Sequence, residues 1–133
     1  MVTYLYVDGY GGEKTAWDET GASPYIDALD YPTNYISTRT ADAESGDFTF
    51  EAAPLDMDYP ISVEIAVYNQ WGLAQDDTVQ VYMWESVGGW ELAGTITAEA
   101  AWGWDKFDVS AKFNTKAKID EAKMYLKYIE GVA

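Results

Sequence analysis

The chain of 133 residues contains no cysteine and no histidine, and eight lysines and arginines stand against 23 aspartates and glutamates. The missing cysteine excludes disulfides, a thiol nucleophile, an iron–sulfur cluster and cysteine-ligated zinc. The missing histidine excludes an imidazole base, a Ser-His-Asp triad and a histidine-ligated metal. The shortage of bases leaves a net charge of −15. It speaks against nucleic acid and anionic membrane surfaces as partners, since each phosphate contact calls for about one lysine or arginine. Long apolar runs are lacking as well: none approaches the ~18 residues of a membrane span, so no membrane insertion is expected. Met1–Val7 has neither the basic start nor the apolar length of a signal peptide and reads as a strand.

What is present is apolar and aromatic. Hydrophobic residues make up 48% of the chain and aromatics 16%, too many for a disordered acidic polymer. At about 100–200 residues per domain, residues 1–133 form a single domain. The charge is unevenly placed. Residues 1–105 hold 19 acids and two bases (Lys14, Arg39), whereas residues 106–133 hold four acids and six lysines. Lys116, Lys118, Lys123 and Lys127 belong to that basic end, which suits docking on an acidic neighbour or, equally, guarding an edge strand against aggregation.

Two-residue alternation, the signature of a half-buried strand, recurs along the chain. It is found in Val2–Val7, Thr33–Thr38, Asp47–Glu51, Ile61–Asn69, Thr78–Glu85, Trp90–Thr97, Gly103–Val109 and Ala122–Ile129. Gly88-Gly89 predicts a tight hairpin, and Gly9-Tyr10-Gly11-Gly12 and Ser45-Gly46-Asp47 read as breakers. Asn114–Glu121 has room for one helical turn capped by Asn114. Eight or nine short strands without a long helix predict an all-β, antiparallel, jelly-roll-like β-sandwich.

Carboxylates are the abundant reactive groups, with Asp27/Asp30, Asp56/Asp58 and Asp76/Asp77 as pairs. They sit at turns, where aspartate satisfies its own backbone, so a glycosidase pair is not expected and no catalytic residue is assigned. The same holds for metals: no cofactor is required, although residues 42–47 and Gln70 to Asp77 offer oxygens to a structural calcium ion. Six tryptophans and 11 tyrosines are a surplus for a core of this size. If Val79, Val81 and Met83 point inward, Tyr82 and Trp84 point outward. With Trp71, Trp102 and Trp104 they form the candidate contact set for a glycan or another subunit.

Residues 17–50 carry a recognisable arrangement: Trp17-Asp18-Glu19-Thr20-Gly21, Tyr25-Ile26-Asp27, Pro32-Thr33-Asn34-Tyr35-Ile36-Ser37-Thr38 and Gly46-Asp47-Phe48-Thr49-Phe50. It resembles jelly-roll-like β-sandwich modules of tailed-phage and archaeal-virus structural proteins, with Ile61–Val67 as the next element. The likeness covers about half the chain and departs from the pattern at Tyr31-Pro32. It implies a module displayed on a virion or tail and transfers no catalytic residue. The expected function is therefore that of a non-enzymatic virion structural protein (capsid decoration, tail or spike). Its partners would be other copies of itself or other virion proteins. The alternatives are a carbohydrate-binding module and an extracellular adhesin or surface-layer domain.

Overall fold

The computed structural model describes residues 4–11, 17–20, 35–55, 62–70, 77–97 and 103–131. In chain order these form β1 (Val7–Gly11), β2 (Asp18–Thr20), β3 (Tyr35–Ser37), β4 (Asp47–Phe50), β5 (Glu64–Asn69), β6 (Thr78–Glu85), β7 (Gly89–Thr97), β8 (Gly103–Asp108), α1 (Lys116–Asp120) and β9 (Lys123–Ile129). The strands build a five-stranded sheet in the order β1-β4-β9-β6-β7 and two pairs, β2-β3 and β5-β8. Every pairing is antiparallel.

Local chemistry explains the best-formed part, the β6–β7 hairpin. Gly89 takes φ +72°, a conformation that costs glycine little, and the chain reverses so that Glu85 pairs with Gly89 and Trp84 with Trp90. The register shifts between Val81 and Tyr82, where Gly94 and Leu92 are their partners, leaving Ala93 as the extra residue of a bulge. Burial alternates along β6, with Val81, Met83 and Glu85 buried and Tyr82 and Trp84 only partly so.

The inner face of the sheet is built by Phe48, Val81, Met83, Ile96, Met124 and Leu126. The β5-β8 pair packs over it. Phe107 of β8 lies so tightly on Gly94 that a Cβ there would stand 2.1 Å from its ring, and Ile65 of β5 joins the same buried cluster. Val109, Phe113 and Ile119 close one end of this core, and Trp17 another, its indole N–H donating to the Ala43 carbonyl at 3.1 Å. Two layers around one apolar core make an all-β sandwich. The winding is jelly-roll-like: β4, β5 and β6 alternate between the layers, β8 returns to β5, and β9 inserts between β4 and β6. The departure is the β6–β7 hairpin, which stays within one sheet.

Several sequence expectations need adjustment. The first described strand starts at Val7 and runs through Gly9 to Gly11, part of the stretch read as a breaker. Gly9 faces Thr49 so closely that a Cβ would stand 2.6 Å from its Oγ1; here glycine permits a close approach between strands instead of a turn. Residues 42–46 continue the ladder onto β9: Asp42 and Ser45 N–H donate to Tyr128 and Leu126 carbonyls, and Glu44 bridges Lys127. Thr115, not Asn114, caps α1, accepting from Lys118 N–H at 3.3 Å. The short β2 has no alternating pattern and escapes a periodicity search.

Candidate functional site

Because side chains alternate across a strand, the face of the five-stranded sheet opposite the core collects its own residues. Two adjacent cross-strand rows follow from the register. One runs Gly9, Thr49, Lys123, Trp84, Trp90 from β1 to β7. In the next, Gly11 faces Asp47, Tyr125 faces Tyr82, and Tyr82 faces Leu92, with Asp47 following its strand's register opposite Tyr125. The β1 and β4 side of the face is small and polar; the β9, β6 and β7 side is aromatic.

The rings hold one another. Tyr82 and Tyr125 stack at 4.9 Å with planes 11° apart, and Trp90 meets Tyr125 at 4.7 Å nearly perpendicular, at 69°. The Tyr82 hydroxyl donates to Gln80 Oε1 at 2.8 Å, and Lys123 Nζ sits 4.9 Å above the Trp84 ring. Trp90 remains 36% exposed and Leu92 51%. Partial burial pushes the Tyr125 phenol above its usual pKa, helped by the charges of Glu44 and Asp47 and by Tyr82. Beside Lys123 the surface dips into an open depression of about 230 Å³ lined by Tyr10, Gly11, Asp47, Thr49 and Lys123.

Of the aromatic candidates read from sequence, Tyr82 and Trp84 come together on this face, with Lys123 between them and the polar half. Trp104 does not join them. It lies on β8, 43% exposed, tilted against Tyr68 at 5.1 Å on the outer side of the other layer. Trp71 and Trp102 lie outside the described residues. Trp90 and Tyr125 are the members that the sequence reading missed. Counting outward from the Gly88-Gly89 turn places Trp90 opposite Trp84, so that signal was available. Tyr125 needs the β6–β9 pairing, which no local pattern contains.

The lysines of the basic end are largely engaged within the chain. Lys112 grips both Glu91 oxygens at 2.8 and 2.7 Å, a contact that raises the lysine pKa. Lys116 pairs with Asp120 at 2.6 Å, one turn along α1, and Lys123 covers Trp84. Lys106, Lys118 and Lys127 form no ion pair with another described residue. Lys127 follows Tyr125 by two on β9, opposite Gln80, while Lys118 lies on α1 and lowers the Glu85 pKa through its charge.

A second concavity of about 150 Å³ is lined by Glu85, Glu91, Asp108 and Lys112 among others. Glu85 is 5% exposed, accepts from Gly88 N–H at 2.6 Å and leaves its second oxygen without a partner among the described residues. Burial pushes its pKa up; the N–H groups of Gly88 and Val87 and the charges of Lys118 and Lys112 outweigh that and hold it below the usual value. Glu85 stays ionised, the opposite of what a glycosidase general acid needs. No group of three acidic residues among the described ones is placed to hold a metal ion. Of the acidic stretches considered for calcium, residues 42–46 give their backbone to β9, and Asp77 accepts from Tyr128 hydroxyl and from Gly131 N–H at 2.7 Å. Asp27, Asp30, Asp56, Asp58 and Asp76 lie outside the described residues. No described helix is long and apolar enough to cross a membrane.

Set against known proteins, the chain matches no family model, and no curated sequence or solved structure is significantly similar to it. Fold and site define a class all the same: an antiparallel β-sandwich that presents a preformed aromatic and polar face on one of its sheets.

Proposed function

We propose that the chain is a non-catalytic contact module, one that builds or decorates an assembly and presents the outer face of the five-stranded sheet as a contact surface. The observation that carries this reading is the interlocked set Tyr82, Tyr125 and Trp90, held in place by mutual contact yet partly open to solvent. Aromatic groups ordered before binding lose little entropy when a partner arrives, which is the character of a contact surface. An assembly of the virion kind, as part of a coat, tail or spike, is the setting we favour. That choice rests on the residue pattern of positions 17–50, in which Trp17 and Phe48 are core anchors and Thr49 and Asp47 reach the outer face.

Immunogold labelling of particles from cells that make the chain, together with light scattering on the purified protein, tests the reading. The label should decorate particles, or the protein should self-associate at high concentration. A strict monomer that never labels a particle refutes it.

A further inference from the structure

The outer face is small and mixed in character, and the chain that carries it is strongly acidic; those three properties narrow its occupant. The whole face spans five strands of four to nine residues, an area on the order of 500 Å² from strand spacing, which falls short of the about 800 Å² per partner of a stable protein interface. A second copy of a chain carrying −15 would also meet like-charge repulsion. An uncharged small ligand incurs neither penalty. The face is also two-sided in chemistry: Trp90, Leu92 and the edges of the stacked tyrosines give apolar contact, while Asp47, Thr49 and Lys123 line an adjoining polar depression. A pyranose ring has the same duality, with an apolar C–H face and a rim of hydroxyls. Five strand positions in a row, about 19 Å from β1 to β7, give room for a chain of such rings laid across the strands.

We infer that this face binds a linear, uncharged oligosaccharide running across the strands, its ring faces against Trp90 and the edges of the stacked tyrosines, and its hydroxyls bonded to Asp47, to Lys123 and to the lone pairs of the Thr49 hydroxyl, whose proton goes to Asp8 Oδ1 at 2.8 Å. This rests on reading the outer face as the module's contact surface. Lys123, above Trp84, stands at the seam between the stacking and hydrogen-bonding halves and serves both. A proline-rich peptide, the other uncharged ligand that favours aromatic surfaces, docks into grooves between rings. Here the space between Tyr82 and Tyr125 is closed by their own stacking.

Affinity electrophoresis on a panel of neutral linear glucans, xylans, mannans and galactans, followed by calorimetry, tests this on the whole chain. At least one class should retard the protein and change its tryptophan fluorescence, with an affinity that sodium chloride leaves unchanged. Trp90→Ala should weaken binding about tenfold, the loss expected when a good aromatic contact is removed. Asp47→Asn should weaken it less, and Trp104→Ala, on the other layer, not at all. Leu92→Lys provides a second variant at an exposed position should Trp90→Ala fold poorly. The inference is overturned if no neutral glycan retards the protein. It is equally overturned if Trp104→Ala abolishes retention while Trp90→Ala does not, or if only charged glycans or proline-rich peptides bind. Those outcomes leave the particle-labelling result untouched, so this inference and the broader reading fail separately.

Discussion

Ser45 is fully buried, and its hydroxyl does two jobs: it donates to the Gly46 carbonyl and accepts from Leu126 N–H, both at 2.9 Å. The second bond joins segments 81 residues apart and satisfies a backbone donor beside the core. Ser45→Ala keeps the shape but orphans that N–H, so we expect a loss of about 1–3 kcal/mol, read by urea denaturation with an unchanged slope. Nothing local announces this role. In sequence, Ser45-Gly46-Asp47 has the composition of a turn, and only the distant strand β9 turns it into a buried ladder. Tyr82 and Trp84 are the opposite case. Their outward direction follows from the alternation with Val81 and Met83 alone, and the structure places them so.

Gly94 shows how a whole element depends on the absence of a side chain. It faces Val81 on the inner side of the sheet, and the Phe107 ring occupies the place of its Cβ. Gly94→Ala forces the β5-β8 pair away from the sheet and should cost about 1–3 kcal/mol, as overpacking does. Gly11→Ala is the control, because a Cβ there meets nothing within 4 Å and should cost under ~1 kcal/mol. Combining Gly94→Ala with Phe107→Leu should recover part of the loss, and a double-mutant cycle measures that coupling. At this scale the sequence was most legible where a strand and its turn are neighbours, as in β6 and β7. It was least legible where partners are remote: neither the β5-β8 cover nor the Phe107–Gly94 contact leaves a local trace. The candidate face divides in the same way, with Trp84 and Trp90 joined by a hairpin and Tyr125 brought in from 35 residues beyond Trp90.

For the whole molecule, charge sets the limits of stability. Asp77 is held below its usual pKa by Tyr128 and then Gly131, Asp108 by the Ser110 hydroxyl and N–H, and Asp120 by Lys116 and then the Ala53 N–H. A carboxylate with a depressed folded pKa stabilises the fold above its unfolded value, here 3.8, and loses that contribution as pH falls through the folded value. Stability should therefore drop steeply below about pH 4. Tyr128 marks the other limit. Its bond to Asp77, then burial, push the phenol from 10.0 to about 12. A raised phenol pKa favours the fold below 10 and loses that support as pH climbs toward 12. Thermal melts across pH should show a plateau bounded by these two falls, and Tyr128→Phe should make the alkaline one shallower, leaving the share of Tyr125 and Lys112, whose pKa values are also raised. Easing the repulsion of net −15 should make the slightly acidic side of the plateau its highest part.

The last of the described strands lies at the centre of the main sheet. Among the described strands β9 alone bridges the β1-β4 side and the β6-β7 side, pairing Lys123 with both Thr49 and Trp84. During synthesis, then, two unjoined sheet fragments wait with open edges until residues 123–129 emerge. Closure comes late and over long loops, which slows folding and exposes strand edges to neighbouring chains. Over that interval residues 1–105, with 19 acids against two bases, should hold neighbouring copies apart by like-charge repulsion.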